Sequence, residues 1–242
     1  METDQWLYFE EELLNTPSTL DGMSPIQERN ERLKGCCYIM AVASRLKLSI
    51  AVVSTACTYF HRFYMRHSIK KFHVYTIGAA CIFIATKVEE ELRHFEDIVK
   101  TCIEKSMKKS PNDVISTKSK DFAIWWNMIL SHEISVMEAV TFDFRIEHPH
   151  YHLADKASRI SMPTECHELA WTYAYETLGS GLCLLYTPVQ IAAAAVLTAA
   201  TSMGVALGED WLIHMGIPND ERLVTDAAII MSETLKYLYL RK

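Results

Sequence analysis

"IGAACIFIATK" at residues 77–87 and "IAAAAVLTAAT" at residues 191–201 are one pattern written twice, small residues over small and large apolar over large apolar. Each is apolar nearly all round, which suits a helix buried on every side. The two lie 114 residues apart, and a second pair shares that offset. "TACTYFHRF" (55–63) falls on "LAWTYAYET" (169–177), with Ala56 on Ala170, Thr58 on Thr172 and Tyr59 on Tyr173. A shared taste for alanine explains the first match but not a second one at the same spacing. The chain therefore reads as two copies of one helical bundle in series.

Apolar residues recur at helical spacing around these stretches. The spacing predicts helices over 29–47, 50–66, 73–88, 95–104 and 121–141, and again over 150–160, 165–180, 188–203 and 220–240. His148 and Pro149 interrupt the pattern between the copies, and "GSG" (179–181) and "MGIPND" (215–220) punctuate the second. The expected fold class is all-α: a short N-terminal arm (1–25), a first bundle (26–147) and a second (148–242). One residue breaks the repeat. Lys87 at the end of the first buried helix falls on Thr201 in the second, so the lysine serves something other than packing. It also stands beside Glu89, Glu90 and Glu91, three acids at the negative end of a helix dipole, where acids are unfavourable.

Composition narrows the function. Half of the 242 residues are hydrophobic, with only 8 glycines and 7 prolines, against the turn-rich habit of an all-β chain. A net charge of -6 disfavours a duplex DNA binder, which needs a basic balance. The seven cysteines are odd in number and include no C-x-x-C, so neither a disulfide framework nor a zinc site is expected and a reducing compartment is. The acidic start "METDQWLYFEEELL" lacks the order of a signal peptide, and "IAAAAVLTAA" (191–200) is about half the length of a membrane span. These features point to a soluble intracellular protein.

The residues "TYFHRFYMRHSIKKF", "AACIFIATKVEE" and "AVTFDFRIEHPH" resemble the cyclin box, and in particular the transcriptional cyclins of the T and K type. "QWLYFEEELLNTPSTLDG" is similar to their lead-in, and "LLYTPVQIAAAAV" to their second repeat. The resemblance covers about residues 6–205 and implies two five-helix repeats. It also implies a role: the non-catalytic, activating subunit of a cyclin-dependent kinase that phosphorylates the carboxy-terminal repeats of RNA polymerase II in the nucleus. No cofactor and no metal are implied. The family's first repeat holds the kinase helix C inward, and its two conserved charges correspond here to Lys87 and Glu133. Ile84, Val88, Met137, Phe142 and Phe144 match apolar positions used against the kinase. Among the three acids, Glu90 is assigned to face basic residues of the kinase.

Other signals have plainer readings. His148, His150 and His152 alternate, and on a strand they would share a face and suggest a metal, but the family uses this stretch as a linker and helix start. Lys105, Lys108, Lys109, Lys118 and Lys120 lie in "EKSMKKSPNDVISTKSK" (104–120), read as a solvated loop with an auxiliary binding role as its alternative. Cell-cycle cyclins carry a Met-Arg-Ala-Ile-Leu type patch that docks substrate peptides. Its counterpart here is "ERLKG" (31–35), which keeps Arg32 but not the apolar ends. No Gly-rich phosphate loop or nucleophile elbow is present, against an enzyme. The competing reading is a general transcription factor of the same double-repeat fold that binds promoter DNA without a kinase.

Overall fold

The computed structural model describes residues 5–108, 110 and 115–240, and the chain divides into two compact units, residues 10–146 and residues 5–9 with 147–240. The first unit opens with two short helices, α1 (Glu10–Leu14) and α2 (Pro17–Leu20). Five longer ones follow: α3 (Pro25–Leu46), α4 (Ile50–Tyr64), α5 (Val74–Val88), α6 (Phe95–Ser106) and α7 (Lys120–Ala139). Their starts follow from capping chemistry. Ser24 and Gln27 form a reciprocal capping box with Pro25 in the first turn of α3. Ser49 and Ser119 accept from the third N–H of α4 and α7.

Helix α5 is the hub of this unit, packed against α3, α4, α6 and α7. Val74, Ile77, Ala79, Ala80, Cys81, Ile82 and Ala85 are fully buried along it, which is why its sequence shows no polar face. Helix α3 approaches α4 closely because Gly35 faces the ring of Phe60; a Cβ at Gly35 would stand 2.1 Å from Phe60 Cζ. A buried ionic knot fastens the same pair of helices. Arg32 donates from Nε and Nη2 to Glu28 Oε1 (2.8 and 2.6 Å). It also donates to the last carbonyls of α4, His61 O (3.0 Å) and Tyr64 O (2.8 Å). Thr16 closes the knot by donating to Glu28.

The second unit repeats the plan with α8 (Pro149–Asp155), α9 (Thr164–Glu176), α10 (Pro188–Met203), α11 (Trp211–Met215) and α12 (Glu221–Tyr239). Here α10 is the hub against α8, α9 and α12, as α5 is against α3, α4 and α7. Helices α4 and α9 begin 114 residues apart, and so do α5 and α10. The starts of α7 and α12 are only 101 residues apart. The register slips in the connection before α7, where the first repeat carries the lysine-rich loop.

Two details differ from the expectation. The arm expected over 1–25 does not stand apart: Tyr8 N–H donates to Leu184 O (2.8 Å) with Trp6 buried nearby in sequence, while Ser18 accepts from Ile69 N–H (3.0 Å) in the first unit. Helix α11 was not anticipated, since five residues are too few to show a period. The histidine run opens α8, the helix start expected there, so His148, His150 and His152 do not share one face as they would on a strand. Among the described residues there is no cluster with the makings of a metal site, and all seven cysteines are free. No helix among them is long and apolar enough to cross a membrane.

Candidate docking site on the first repeat

Lys87 lies in the last turn of α5 and Glu133 near the middle of α7, and the contact between these helices brings them together. Lys87 Nζ donates to Glu133 Oε1 at 2.5 Å and sits 3.8 Å above the centre of the Phe83 ring. The lysine side chain is 43% exposed and the carboxylate 17%. A pair so open to solvent is worth about 0–1 kcal/mol to the fold, with a similar contribution from the cation over the ring. Its cost to stability if removed is small, so its presence calls for another account. At the matching place in the second repeat, Thr201 Oγ1 donates to Leu197 O within its own helix (2.7 Å). The second copy has a self-satisfied threonine where the first has the lysine.

The structure also accounts for the three acids that follow. Glu89 accepts from Thr55 Oγ1 of α4 at 2.6 Å. Glu91 accepts from the backbone N–H of Ser49 at 3.0 Å and from Arg93 Nη2 at 2.8 Å, which holds its carboxyl below the usual range although partial burial works the other way. Glu91 therefore serves the positive N-terminus of α4, and Glu89 is held by a side chain one turn further along that helix. Glu90, between them, is exposed and sits in the left-handed region at φ 55.

Backbone strain gathers beside the pair. Five non-glycine residues among those described have positive φ, and three of them border this site: Glu90, Thr141 (φ 53) and Phe142 (φ 56). A β-branched and an aromatic residue in succession in that region are unfavourable by roughly 1–3 kcal/mol each, and such strain collects at functional surfaces. Its effect here is to throw the Phe142 ring outward, 59% exposed, while Phe144 is held back by edge contact with Tyr59 and a bond from Tyr59 Oη to its carbonyl (2.7 Å).

The sequence-derived candidates sort clearly. Lys87, Glu133, Val88, Glu90, Met137, Phe142 and Phe144 all retain exposed surface on α5, α7 and their closing turns. Ile84 does not: at 3% exposure it belongs to the core, one turn beneath Lys87, and offers nothing to a partner. Ile134 (58% exposed) and Leu130 were missed; both are large apolar residues on the open side of α7 beside Glu133. Arg32 is a fastening of the fold, buried in the ionic knot and unavailable to a substrate peptide. His150 and His152 are buried in α8, and burial pushes the His150 imidazole down to about 4. Of the five lysines of the basic loop, Lys105, Lys108, Lys118 and Lys120 are described, and Lys109 lies outside the described residues.

Two tandem five-helix bundles, each built round a buried third helix, define a protein of the cyclin fold. Residues 5–145 match the family model "Cyclin, N-terminal domain", and the chain belongs to the cyclin family. It is 42% identical over 194 residues to Cyclin pch1 of Schizosaccharomyces pombe, covering 80% of this chain and 56% of that protein. It is 34% identical over 193 residues to Cyclin-K of Homo sapiens, covering 78% of this chain and 32% of that protein. The chain thus spans from about a third to just over half of these relatives. A chain in the crystal structure of the yeast RNA Pol II CTD kinase CTDK-1 complex shares the fold with a TM-score of 0.77 at 16% identity, over 93% of this chain and 71% of that one. The relatives it matches are cyclins, regulatory subunits rather than catalysts.

Proposed function

We propose that this cyclin is the activating subunit of a nuclear cyclin-dependent kinase that phosphorylates the carboxy-terminal repeats of RNA polymerase II, and that it docks the kinase on the face of α5 and α7 around Lys87 and Glu133. A kinase is competent when its β3 lysine pairs with the glutamate of helix C, which requires that helix to be pressed inward. The face described above has the chemistry to press and hold. Lys87 presents an ammonium to backbone carbonyls, Glu133 a carboxylate to backbone N–H groups, and such charge-assisted bonds are roughly twice as strong as neutral ones. Val88, Leu130, Ile134, Met137, Phe142 and Phe144 supply apolar surface to either side, and Glu90 projects as an exposed acid for a basic neighbour. The observation that carries the reading is the asymmetry of the repeats: charge pair, strained turns and open apolar residues meet on the first copy, and a threonine takes the lysine's place in the second.

The test compares Lys87→Ala, Glu133→Ala and Thr201→Ala in kinase affinity and thermal midpoint. Truncating one partner of a desolvated charged contact costs about 2 to 5 kcal/mol, or roughly thirty-fold and upward in affinity. Lys87→Ala and Glu133→Ala should lose that much while their midpoints stay near the parent's, and Thr201→Ala should bind normally. Parent-like binding by Lys87→Ala, or an equal loss in Thr201→Ala, places the kinase elsewhere.

A further inference from the structure

Where α3 ends against the side of α6, a cleft of about 410 Å³ opens on the first repeat. Four cations line it, Arg45, Lys47, Arg93 and Lys100, against two acids, Asp97 and Glu104. The acids are not equal counterweights. Glu104 is buried and already engaged by Arg45 Nε (3.3 Å) and Lys105 Nζ (3.0 Å), so only Asp97 is open to solvent. Among the cations, Arg93 is committed to the helix end, donating to Leu46 O (3.4 Å) and Lys47 O (3.2 Å) as well as to Glu91. Arg45 spends only Nε on Glu104, which leaves its terminal N–H groups facing outward on a half-exposed side chain. Lys100 holds Glu96 at 2.6 Å, an exchangeable surface pair. Lys47 is exposed at the left-handed residue that closes α3 (φ 53). The basic loop continues the same sign of charge with Lys105, Lys108, Lys118 and Lys120, in a chain whose net charge is -6.

We infer that this cleft binds a phosphate group carried on a peptide, a phosphoserine or phosphothreonine, held by Lys47, Lys100 and the free edge of the Arg45 guanidinium. The volume exceeds a single phosphate and admits its residue with a neighbour. Leu46 and Ile115 give that neighbour apolar wall. Single-stranded nucleic acid fits worse, because no aromatic side chain lines the cleft and bases have nothing to stack on. The inference deepens the proposed function, since a cyclin that holds an already phosphorylated segment would keep a repetitive substrate near its kinase. It does not depend on where the kinase docks.

Binding is measured on the cyclin alone, by fluorescence anisotropy of a short labelled peptide with one phosphoserine. Its unphosphorylated twin, inorganic phosphate as competitor and a short single-stranded RNA form the other arms. The phosphopeptide should bind at least about tenfold tighter than its twin, and weaken as salt is raised. Lys100→Gln and Lys47→Asn, the latter a residue at ease in the left-handed conformation, should each lose roughly tenfold with unchanged thermal midpoints. Arg45→Gln should lose as much affinity but with a lowered midpoint, since it takes the cation from buried Glu104, and Lys34→Gln on the opposite part of α3 should change neither. Equal binding of the twin, or indifference to all three substitutions, overturns the inference. So does tighter RNA binding with the same variant sensitivity, or inorganic phosphate binding as tightly as the phosphopeptide. Because no kinase is present, failure here leaves the Lys87 reading standing, and failure there leaves this one.

Discussion

Gly35→Ala tests the closest approach in the first repeat. On a solvent-exposed helix the change would stabilise by about 1 kcal/mol, since glycine loses more backbone entropy than alanine on folding. On α3 the new Cβ would meet Phe60 at 2.1 Å from Cζ and 2.8 and 2.9 Å from the two Cε atoms. Carbon atoms rest at about 3.5–4.0 Å, so ring or helix must retreat by more than an ångström. The ring has little room to do so. Phe60 is fully buried and stands edge-on to Tyr64 at 4.9 Å and to His61 at 5.9 Å, and both neighbours lie in the region clamped by Arg32. Overpacking of this kind costs roughly 1–3 kcal/mol and occasionally more. With a severe overlap the upper end applies, leaving a net loss of about 2 kcal/mol after the propensity gain. Urea unfolding should show a lower midpoint at unchanged slope. A second arm separates steric clash from other causes: Phe60→Leu alone destabilises, but in combination with Gly35→Ala the two losses should sum to well under their separate values. A Gly35→Ala chain more stable than the parent, or strict additivity in the double variant, would refute the packing argument.

Arg32→Ala should fail as a folded protein or lose about 3–5 kcal/mol, because it strands the buried Glu28 and the last carbonyls of α4; an Arg-x-Leu type peptide should show no saturable binding to the parent in a fluorescence titration. His150 supplies a pH dependence. Its folded value of about 4 lies below the ordinary 6.5, so the unfolded chain takes up the proton first and stability falls as pH drops from about 6.5 toward 4, by up to about 3 kcal/mol. His150→Gln should flatten urea midpoints measured across that window, and an equally steep profile would assign the effect to other groups.

The sequence carried the repeat because burial on all sides leaves a record in composition: α5 and α10 are legible as apolar runs, and their shared offset with α4 and α9 follows from common hub packing. Helix α11 was not legible, since a five-residue helix contributes no period. The site divided along similar lines. Lys87 announced itself by breaking the repeat, and Glu133 came from the family pattern. Ile84 was misplaced because hydrophobicity reports that a side chain avoids water, not whether its own chain or a partner covers it. The left-handed turns at Glu90, Thr141 and Phe142 left no trace, as none uses the glycine or asparagine that usually marks such positions.

The bond between Lys87 and Glu133 has a consequence for selectivity. In the unaccompanied subunit each charge answers the other, so neither is left as bait on a greasy face. A visitor that offers only an acceptor for the lysine must first separate the couple, and abandons the carboxylate among Ile134, Leu130 and Met137. One that offers only a donor makes the mirror-image mistake. Only a surface bringing a carbonyl and an N–H together, at the spacing of the two helices, replaces what it breaks. For the docking proposed above, the contact would act as a two-part lock, turned by both keys at once and indifferent to either alone.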